Sequence, residues 1–150
     1  MEKVEIRCAE EKDSPYIQEK LQKYILDKTN AYWQQFFVAK DKDKTVGFAR
    51  IIEHDDCREI ASVGVDYYHR RKKVGSSIVL FLTEEAKKLK SEKPLYIITH
   101  RPGFFKRLGF EEITTKGPSP LEYKKYNKCR LEPSKNKIMK FVCKKSNNYI

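Results

Sequence analysis

Short apolar runs separated by polar turns dominate the chain, a pattern typical of strands. The run 46–52 follows 36–39 across the polar turn 41–44, which predicts a hairpin. The run 60–65 follows the turn 54–56, so three consecutive antiparallel strands are expected. The predicted strands are 4–8, 36–39, 46–52, 60–65, 95–99, 110–115 and 137–143.

Helical periodicity is clearest after the third of these antiparallel strands. Apolar side chains recur at helical spacing from Val74 to Leu89, over about four turns. Because this helix separates strand 60–65 from strand 95–99, those two strands can lie parallel. Two further helices are predicted, one with its start signal at 13–15 and the apolar positions Ile17, Leu21, Tyr24 and Ile25, and a short one at 104–108.

Length and composition suit one folded domain. The chain has 150 residues, of which 39% are hydrophobic and 35% charged. No apolar run approaches the roughly 20 residues that cross a bilayer, and the N-terminal stretch is too charged for a signal peptide. We therefore predict a single domain over 1–150, located in the cytoplasm, with no membrane partner.

The cysteines give little support to a disulfide framework or a zinc site. Cys8, Cys57, Cys129 and Cys143 are far apart and form no CxxC motif. We expect reduced thiols and no metal, as is usual in the cytosol. A metal pair of Cys129 and Cys143 is the alternative.

The formal charge of +11 favours anionic ligands without naming one. Residues 116–150 hold ten basic and two acidic residues, which fits an interaction surface or a solvated lysine-rich face. The first part, 116–136, is predicted to be a long basic loop that acts as a functional lid or is disordered. The final strand is expected at 137–143.

One basic stretch lies between strand 60–65 and the long helix. It reads YHRRKKVGSSI from Tyr68 to Ile78, with four consecutive cations beside a glycine and two serines. A loop that runs from a strand into a helix N-terminus presents unpaired N–H groups, which bind phosphate well. The same residues also fit a solvated turn with a helix cap.

Two motifs together carry a family resemblance. The stretch 63–76 resembles the acetyl-CoA loop of the GNAT N-acetyltransferase superfamily, which runs R/Q-x-x-G-x-G/A. Arg70 and Gly75 match its first and last places, whereas Lys73 stands where the first glycine is usual. The segment FFKRLGF at 104–110 is similar to the F-Y-x-x-L-G-F segment of the family.

The resemblance implies an α/β (α+β) fold, the GNAT fold. It has a mixed six- to seven-stranded sheet with splayed central parallel strands, flanked by helices. The resemblance also implies acetyl-CoA as acyl donor, with the coenzyme A pyrophosphate cradled by the basic loop. The residues expected to bind the coenzyme are Val63, Val65, Arg70, Arg71, Lys72, Lys73, Val74, Gly75, Ser76, Ser77 and Phe105.

In this family the amine attacks the thioester directly in a ternary complex, so the site needs a base and support for an oxyanion. Glu59 is the expected base, because Glu59-Ile60 resembles the glutamate-isoleucine pair of the histone acetyltransferase branch. The alternative is that Glu59 only pairs with Arg58 or a neighbouring strand. The resemblance assigns the oxyanion to the backbone N–H of Val65.

The usual general acid is absent from the sequence. Phe105 replaces the tyrosine of the F-Y-x-x-L-G-F segment and has no proton to give. Tyr67, Tyr68 or His100 could take that role. Otherwise the thiolate leaves unassisted, as a thiol pKa near 8.5 allows.

The acceptor is expected to be an amine, and a small molecule is favoured over a protein. Segment 99–105 looks distantly like the acetyltransferase domain of bacterial N-acetylglutamate synthases, which would suit a small carboxylate-bearing amine. Arg50 or Arg101 could then clamp the carboxylate. A homodimer is one of the oligomeric states left open.

Two other functions remain open. A basic module that binds nucleic acid would use Arg70 and its neighbours on phosphates, but no known recognition motif appears, so no specific nucleic acid is predicted. A GNAT fold that holds coenzyme A without catalysis is suggested by Phe105 and Lys73.

Overall fold

The computed structural model describes residues 4–89, 92–127 and 132–142. The strands are β1 (Glu5–Cys8), β2 (Phe36–Asp41), β3 (Lys44–Glu53), β4 (Arg58–Val65), β5 (Leu95–Thr99), β6 (Phe110–Glu112) and β7 (Lys137–Phe141). The helices are α1 (Ser14–Lys23), α2 (Val74–Lys88), α3 (Pro102–Lys106) and α4 (Ser119–Asn127). Within the described ranges, no helix has both the length and the apolar character needed to cross a membrane.

The strands form one mixed, seven-stranded sheet in the order β1-β2-β3-β4-β5-β7-β6, with helices flanking it. This confirms the predicted fold class. The chain has two compact units, Met1–Ile52 with Ile60–Glu85, and Glu53–Glu59 with Ala86–Ile150. The single domain over 1–150 and the splaying of the central strands stay predictions.

In the first unit, α1 buries one face against the antiparallel strands β2 and β3. Ile17 and Leu21 are four residues apart, hence on one side of the helix, and both are fully buried. They pack with Phe36, Val38 and Phe48. Burial of each such side chain contributes roughly 1.5–3 kcal/mol relative to exposure, so this cluster is a hydrophobic support of the unit.

In the second unit, β7 pairs antiparallel with both β5 and β6. Leu121 of α4 is fully buried against Cys57 and Ile138. The approach to α4 is tight at Gly117, where an added Cβ would come within 2.9 Å of Ile113 Cδ1. The N–H of Gly117 also donates to Glu122 Oε2 over 2.6 Å, which fixes the start of α4.

The segment 116–136 differs from its prediction. A long loop is wrong there, because α4 occupies Ser119–Asn127. Leu121 is its one fully buried apolar side chain, so no apolar stripe marks the helix in the sequence. The final strand is shorter than the predicted 137–143, since β7 ends at Phe141. Cys143, like Cys129, lies outside the described residues.

The helical pattern after the basic stretch is confirmed. Helix α2 begins at Val74, and Ile78 and Leu82 are fully buried on its core face. Leu89 lies just beyond the helix and is exposed. The first helix is shorter than its pattern: α1 ends at Lys23, and Ile25 is exposed with a left-handed φ of 55°.

Candidate active site

The basic stretch forms a loop that enters α2 with its backbone donors unpaired. Ser77 N–H donates to Lys73 O over 3.0 Å, which is the first hydrogen bond of the helix. Among the residues that the structure describes, none accepts a hydrogen bond from the backbone N–H groups of 71–76. Free donors at the positive end of a helix dipole form an anion-binding surface.

The backbone conformation of this loop shows why glycine is usual at the position that Lys73 occupies. Arg71 and Lys73 both have φ of 65°, in the left-handed region. Lys73 therefore adopts a conformation that favours glycine, at the cost of roughly 1–2 kcal/mol that an L side chain meets there. At Gly75 an added Cβ would touch only Val65 Cγ2, at 3.8 Å, so the space above this glycine is open.

Arg70 turns back onto the end of β4. Its Nε donates to Val65 O over 2.9 Å, and its guanidinium lies 5.2 Å from the ring centre of Tyr24 and 5.8 Å from that of Tyr67. The side chain of Arg70 therefore holds the loop through Nε, and its contact with the coenzyme stays a prediction.

A histidine between two carboxylates anchors the other side of the loop. His69 Nδ1 lies 3.3 Å from Asp66 Oδ2, and its Nε2 lies 3.2 Å from Asp41 Oδ2. Burial acts to raise the pKa of Asp66, but the hydrogen bond with His69 and the charge of Lys44 outweigh it, so this pKa is lowered. The cluster ties the basic loop to the β2–β3 turn.

Strand β4 carries an irregularity next to the predicted coenzyme contacts. Ser62 has φ of 57°, a left-handed value that interrupts the extended backbone just before Val63. Its Oγ accepts a hydrogen bond from Arg50 Nε over 2.9 Å and donates to Asp27 O over 2.6 Å. These bonds hold the strand in a shape that sets the direction of Val63 and Val65.

Arg50 is fully buried and acts in this support. Its guanidinium donates to Asp27 Oδ2 over 3.1 Å and to Gln35 Oε1 over 2.9 Å. The remaining bonds reach the carbonyl oxygens of Asp27, Thr29 and Asn30. Because these contacts use every N–H of the guanidinium, the expectation that Arg50 clamps a substrate carboxylate is wrong. Sequence reasoning missed its true role, although a charge inside the apolar run of β3 was a signal.

Glu59 is the centre of a buried polar cluster in the second unit. Its side chain is 2% exposed, its Oε1 lies 3.0 Å from His54 Nε2, and its Oε2 accepts a hydrogen bond from Lys124 Nζ over 2.5 Å. The Nε of Arg58 lies 2.5 Å from Glu53 Oε2. The sequence did not predict His54 and Lys124 as partners.

The neighbouring thiol is protonated at neutral pH. Burial, with the charges of Glu59 and Asp56, raises the pKa of Cys57 to about 11. Its side chain packs with Leu121 and Ile138. Cys57 is therefore a core residue with no nucleophilic role.

The candidates for a general acid are all exposed, unlike Phe105, which stands in the place of the usual tyrosine. Phe105 is buried, with its ring edge-on to those of Phe104 and Phe110. His100 and the pair Tyr67 and Tyr68 are exposed. The structure does not select one of these three side chains as the acid.

Comparison with known proteins places this geometry in a family. Residues 32–112, more than half of the chain, match the family model of the acetyltransferase (GNAT) domain. The chain belongs to the GNAT acetyltransferase family, as the two motifs predicted. No match was found among the curated proteins.

Solved structures share the fold at low identity. N-acetylglutamate synthase from Neisseria gonorrhoeae, solved with coenzyme A and N-acetyl-glutamate, aligns with a TM-score of 0.73 and 17% identity over 95% of this chain and 36% of that one. This chain thus spans about a third of that protein. Rv2747 from Mycobacterium tuberculosis, in complex with CoA and NLQ, aligns with a TM-score of 0.72 and 23% identity over 93% of this chain and 99% of that one. The ribosomal-protein-S18-alanine N-acetyltransferase from Escherichia coli aligns with a TM-score of 0.64 and 17% identity over 99% of this chain and 100% of that one.

Proposed function

We propose that the chain is an N-acetyltransferase that moves the acetyl group of acetyl-CoA to a primary amine by direct attack in a ternary complex. The observation that carries this proposal is the row of free N–H groups at 71–76, at the start of α2, in a member of an acetyltransferase family. Two of the structural relatives were solved with coenzyme A, which supports the same donor here.

The loop supplies what a diphosphate needs. The N–H groups of Val74, Gly75 and Ser76 belong to the first turn of α2 and donate to phosphate oxygens, and the side chains of Arg71, Lys72 and Lys73 add charge. The open space above Gly75 lets the backbone approach the ligand. Arg70 adds further positive charge, and Ser76 and Ser77 offer hydroxyls at the first turn of the helix. Val63 and Val65 offer strand amides to the rest of the coenzyme, and Phe105 offers an apolar surface.

Catalysis is assigned to groups on β4. The carboxylate of Glu59 takes the ammonium proton, directly or through a water, and the N–H of Val65 stabilises the oxyanion. The bonds from His54 and Lys124 mean that an acceptor must compete for an oxygen of Glu59. The acid is Tyr67, Tyr68 or His100, or else the thiolate leaves unassisted, as a thiol pKa near 8.5 permits.

The acceptor is proposed to be a small amine. Arg101 is the remaining candidate for a carboxylate clamp; it is exposed and lies 5.4 Å from the ring centre of Phe104. The relative solved with N-acetyl-glutamate favours an amino acid, whereas the relative that acetylates an alanine of a ribosomal protein favours an N-terminus. Cytoplasmic location and a homodimer stay predictions.

A screen of acetyl-CoA consumption over amine classes tests the proposal. Amino acids, polyamines, and peptides with a free N-terminus or a lysine are each incubated with protein and acetyl-CoA, and released thiol is measured. We expect one class to raise thiol release well above acetyl-CoA hydrolysis. Glu59→Gln should lower kcat by about 100-fold or more, because a positioned base contributes on that order. Full turnover by Glu59→Gln at every pH would exclude Glu59 as base.

One observation favours a second candidate, a coenzyme A carrier without catalysis. The place of the usual tyrosine is held by Phe105, which is buried among aromatic rings and has no proton to donate. Binding of acetyl-CoA with no thiol release for any amine would select this function.

A further inference from the structure

The ion pair between Lys124 and Glu59 places a primary amine of the protein itself on the proposed base. Lys124 Nζ lies 2.5 Å from Glu59 Oε2, and the two side chains are 17% and 2% exposed. This contact joins residues 65 positions apart in the sequence. A general base acts on a proton within hydrogen-bond reach, and the ammonium of Lys124 meets that condition.

Helix α4 holds this amine in place. Leu121, three residues before Lys124 and thus on the same side of the helix, is fully buried with Cys57. The next residue, Lys125, points elsewhere: its Nζ lies 5.5 Å from the ring centre of Tyr126. The helix therefore presents one lysine to Glu59 and leaves its neighbour as a natural control.

We propose that Lys124 is an internal acceptor, which the protein acetylates on Nζ with its own acetyl-CoA. This inference rests on the proposed function. It also deepens that function, because it names an amine on an alkyl chain as the kind of acceptor that fits against Glu59. The ammonium gives one proton to Glu59, the neutral nitrogen attacks the thioester carbonyl, a C–N bond forms and the C–S bond breaks. The nitrogen then loses its second proton to the departing thiolate, directly or through water, which gives coenzyme A, and Glu59 releases the first proton to solvent.

Acetylation changes the cluster around the base. The amide of acetylated Lys124 has no charge and no ammonium donor, so the ion pair with Glu59 is lost. Glu59 then keeps His54 as its partner on Oε1, and its Oε2 becomes available to an external ammonium. We therefore expect turnover on external amines to rise as Lys124 becomes acetylated.

The test is a time course with isotope-labelled acetyl-CoA, followed by peptide mass spectrometry of the full chain. Label should enter Lys124 at least about tenfold faster than Lys125, as expected for a positioned base. It should also enter faster than Lys12, whose side chain is 75% exposed and reports uncatalysed acetylation. The half-time should not depend on protein concentration, because the transfer is intramolecular.

Matched variants separate the roles. In Lys124→Arg the fast label should disappear, and in Lys125→Arg it should stay. In Glu59→Gln the rate at Lys124 should fall to that of Lys125. Should Glu59→Gln fail to fold, Glu59→Asp keeps the charge, shortens the reach, and should slow the label by about tenfold or more. An unlabelled acetyl group already on Lys124 after expression supports self-acetylation only if the Glu59→Gln protein lacks it.

Equal labelling of Lys124 and Lys125, a rate unaffected by the Glu59 variants, or a half-time that depends on protein concentration overturns the inference. The same samples are assayed for thiol release with external amines. Transfer to an external amine without label on Lys124 removes only self-acetylation. Absence of both, in protein that binds acetyl-CoA, removes the proposed function as well.

Discussion

Removal of the guanidinium of Arg50 is the sharpest test of how the fold supports β4. The side chain is fully buried, and Arg50→Met keeps most of its apolar volume while it removes the ion pair with Asp27. The variant also breaks the bonds to Ser62 Oγ and Gln35 Oε1. Breaking a buried pair from one side typically costs about 3–5 kcal/mol, because the remaining partner and carbonyl groups lose their donors.

Urea denaturation followed by circular dichroism measures this loss as a lower midpoint at an unchanged m-value. For a chain of this size each kcal/mol shifts Tm by roughly 2–4 °C, so we expect a fall of roughly 6–20 °C. Arg7→Met is the control, since it breaks a comparable ion pair of 2.9 Å with Asp13, in which the arginine side chain is 29% exposed. The arginine of this pair is partly in solvent, but the Asp13 side chain is only 9% exposed, so the expected loss is about 1–3 kcal/mol. A loss in Arg50→Met no greater than in Arg7→Met would refute the reasoning.

Three further predictions concern the loop, the acid stability and the thiols. Gly75→Ala should keep or raise Tm, because its Cβ meets only Val65 Cγ2 at 3.8 Å. Gly75→Glu should weaken acetyl-CoA binding by roughly 100-fold, because the new carboxylate repels the phosphates. Equal acetyl-CoA affinities of Gly75→Glu and the unchanged protein in calorimetry would contradict this. Burial acts to raise the pKa of Asp13, but the hydrogen bond from Arg7 outweighs burial and the pKa is lowered. The stability that Asp13 contributes to the fold is therefore complete above about pH 4 and is lost as pH falls through the folded-state pKa. The free energy of unfolding should therefore depend less on acid pH in Arg7→Met than in the unchanged protein, and identical curves for the two proteins would contradict the pairing. At neutral pH iodoacetamide should modify exposed Cys8 and spare Cys57, whose pKa is about 11, and peptide mapping that finds equal modification would contradict the buried thiol.

The regular elements could be predicted because their signals are local. The apolar positions from Val74 to Leu82 repeat at helical spacing, and α2 follows them. The same rule failed for α4, where Leu121 alone is buried and the exposed residues Tyr123 and Tyr126 break any apolar stripe. Proline at 120, near the start of that helix, was the available signal.

The support of the site could not be predicted, because it depends on contacts between distant positions. Arg50 meets Asp27 across 23 positions of sequence, and Lys124 meets Glu59 across 65. No local pattern encodes such pairs. The departure at Lys73 was visible in the sequence, but only the backbone shows that lysine adopts the conformation that glycine would favour there.

Calorimetric titration of the full chain with acetyl-CoA, beside a crystal of the complex, tests the central claim most directly. We expect saturable binding, with the diphosphate oxygens on the N–H groups of 71–76. No heat of binding at millimolar acetyl-CoA, or a complex whose diphosphate lies away from the start of α2, would contradict the account.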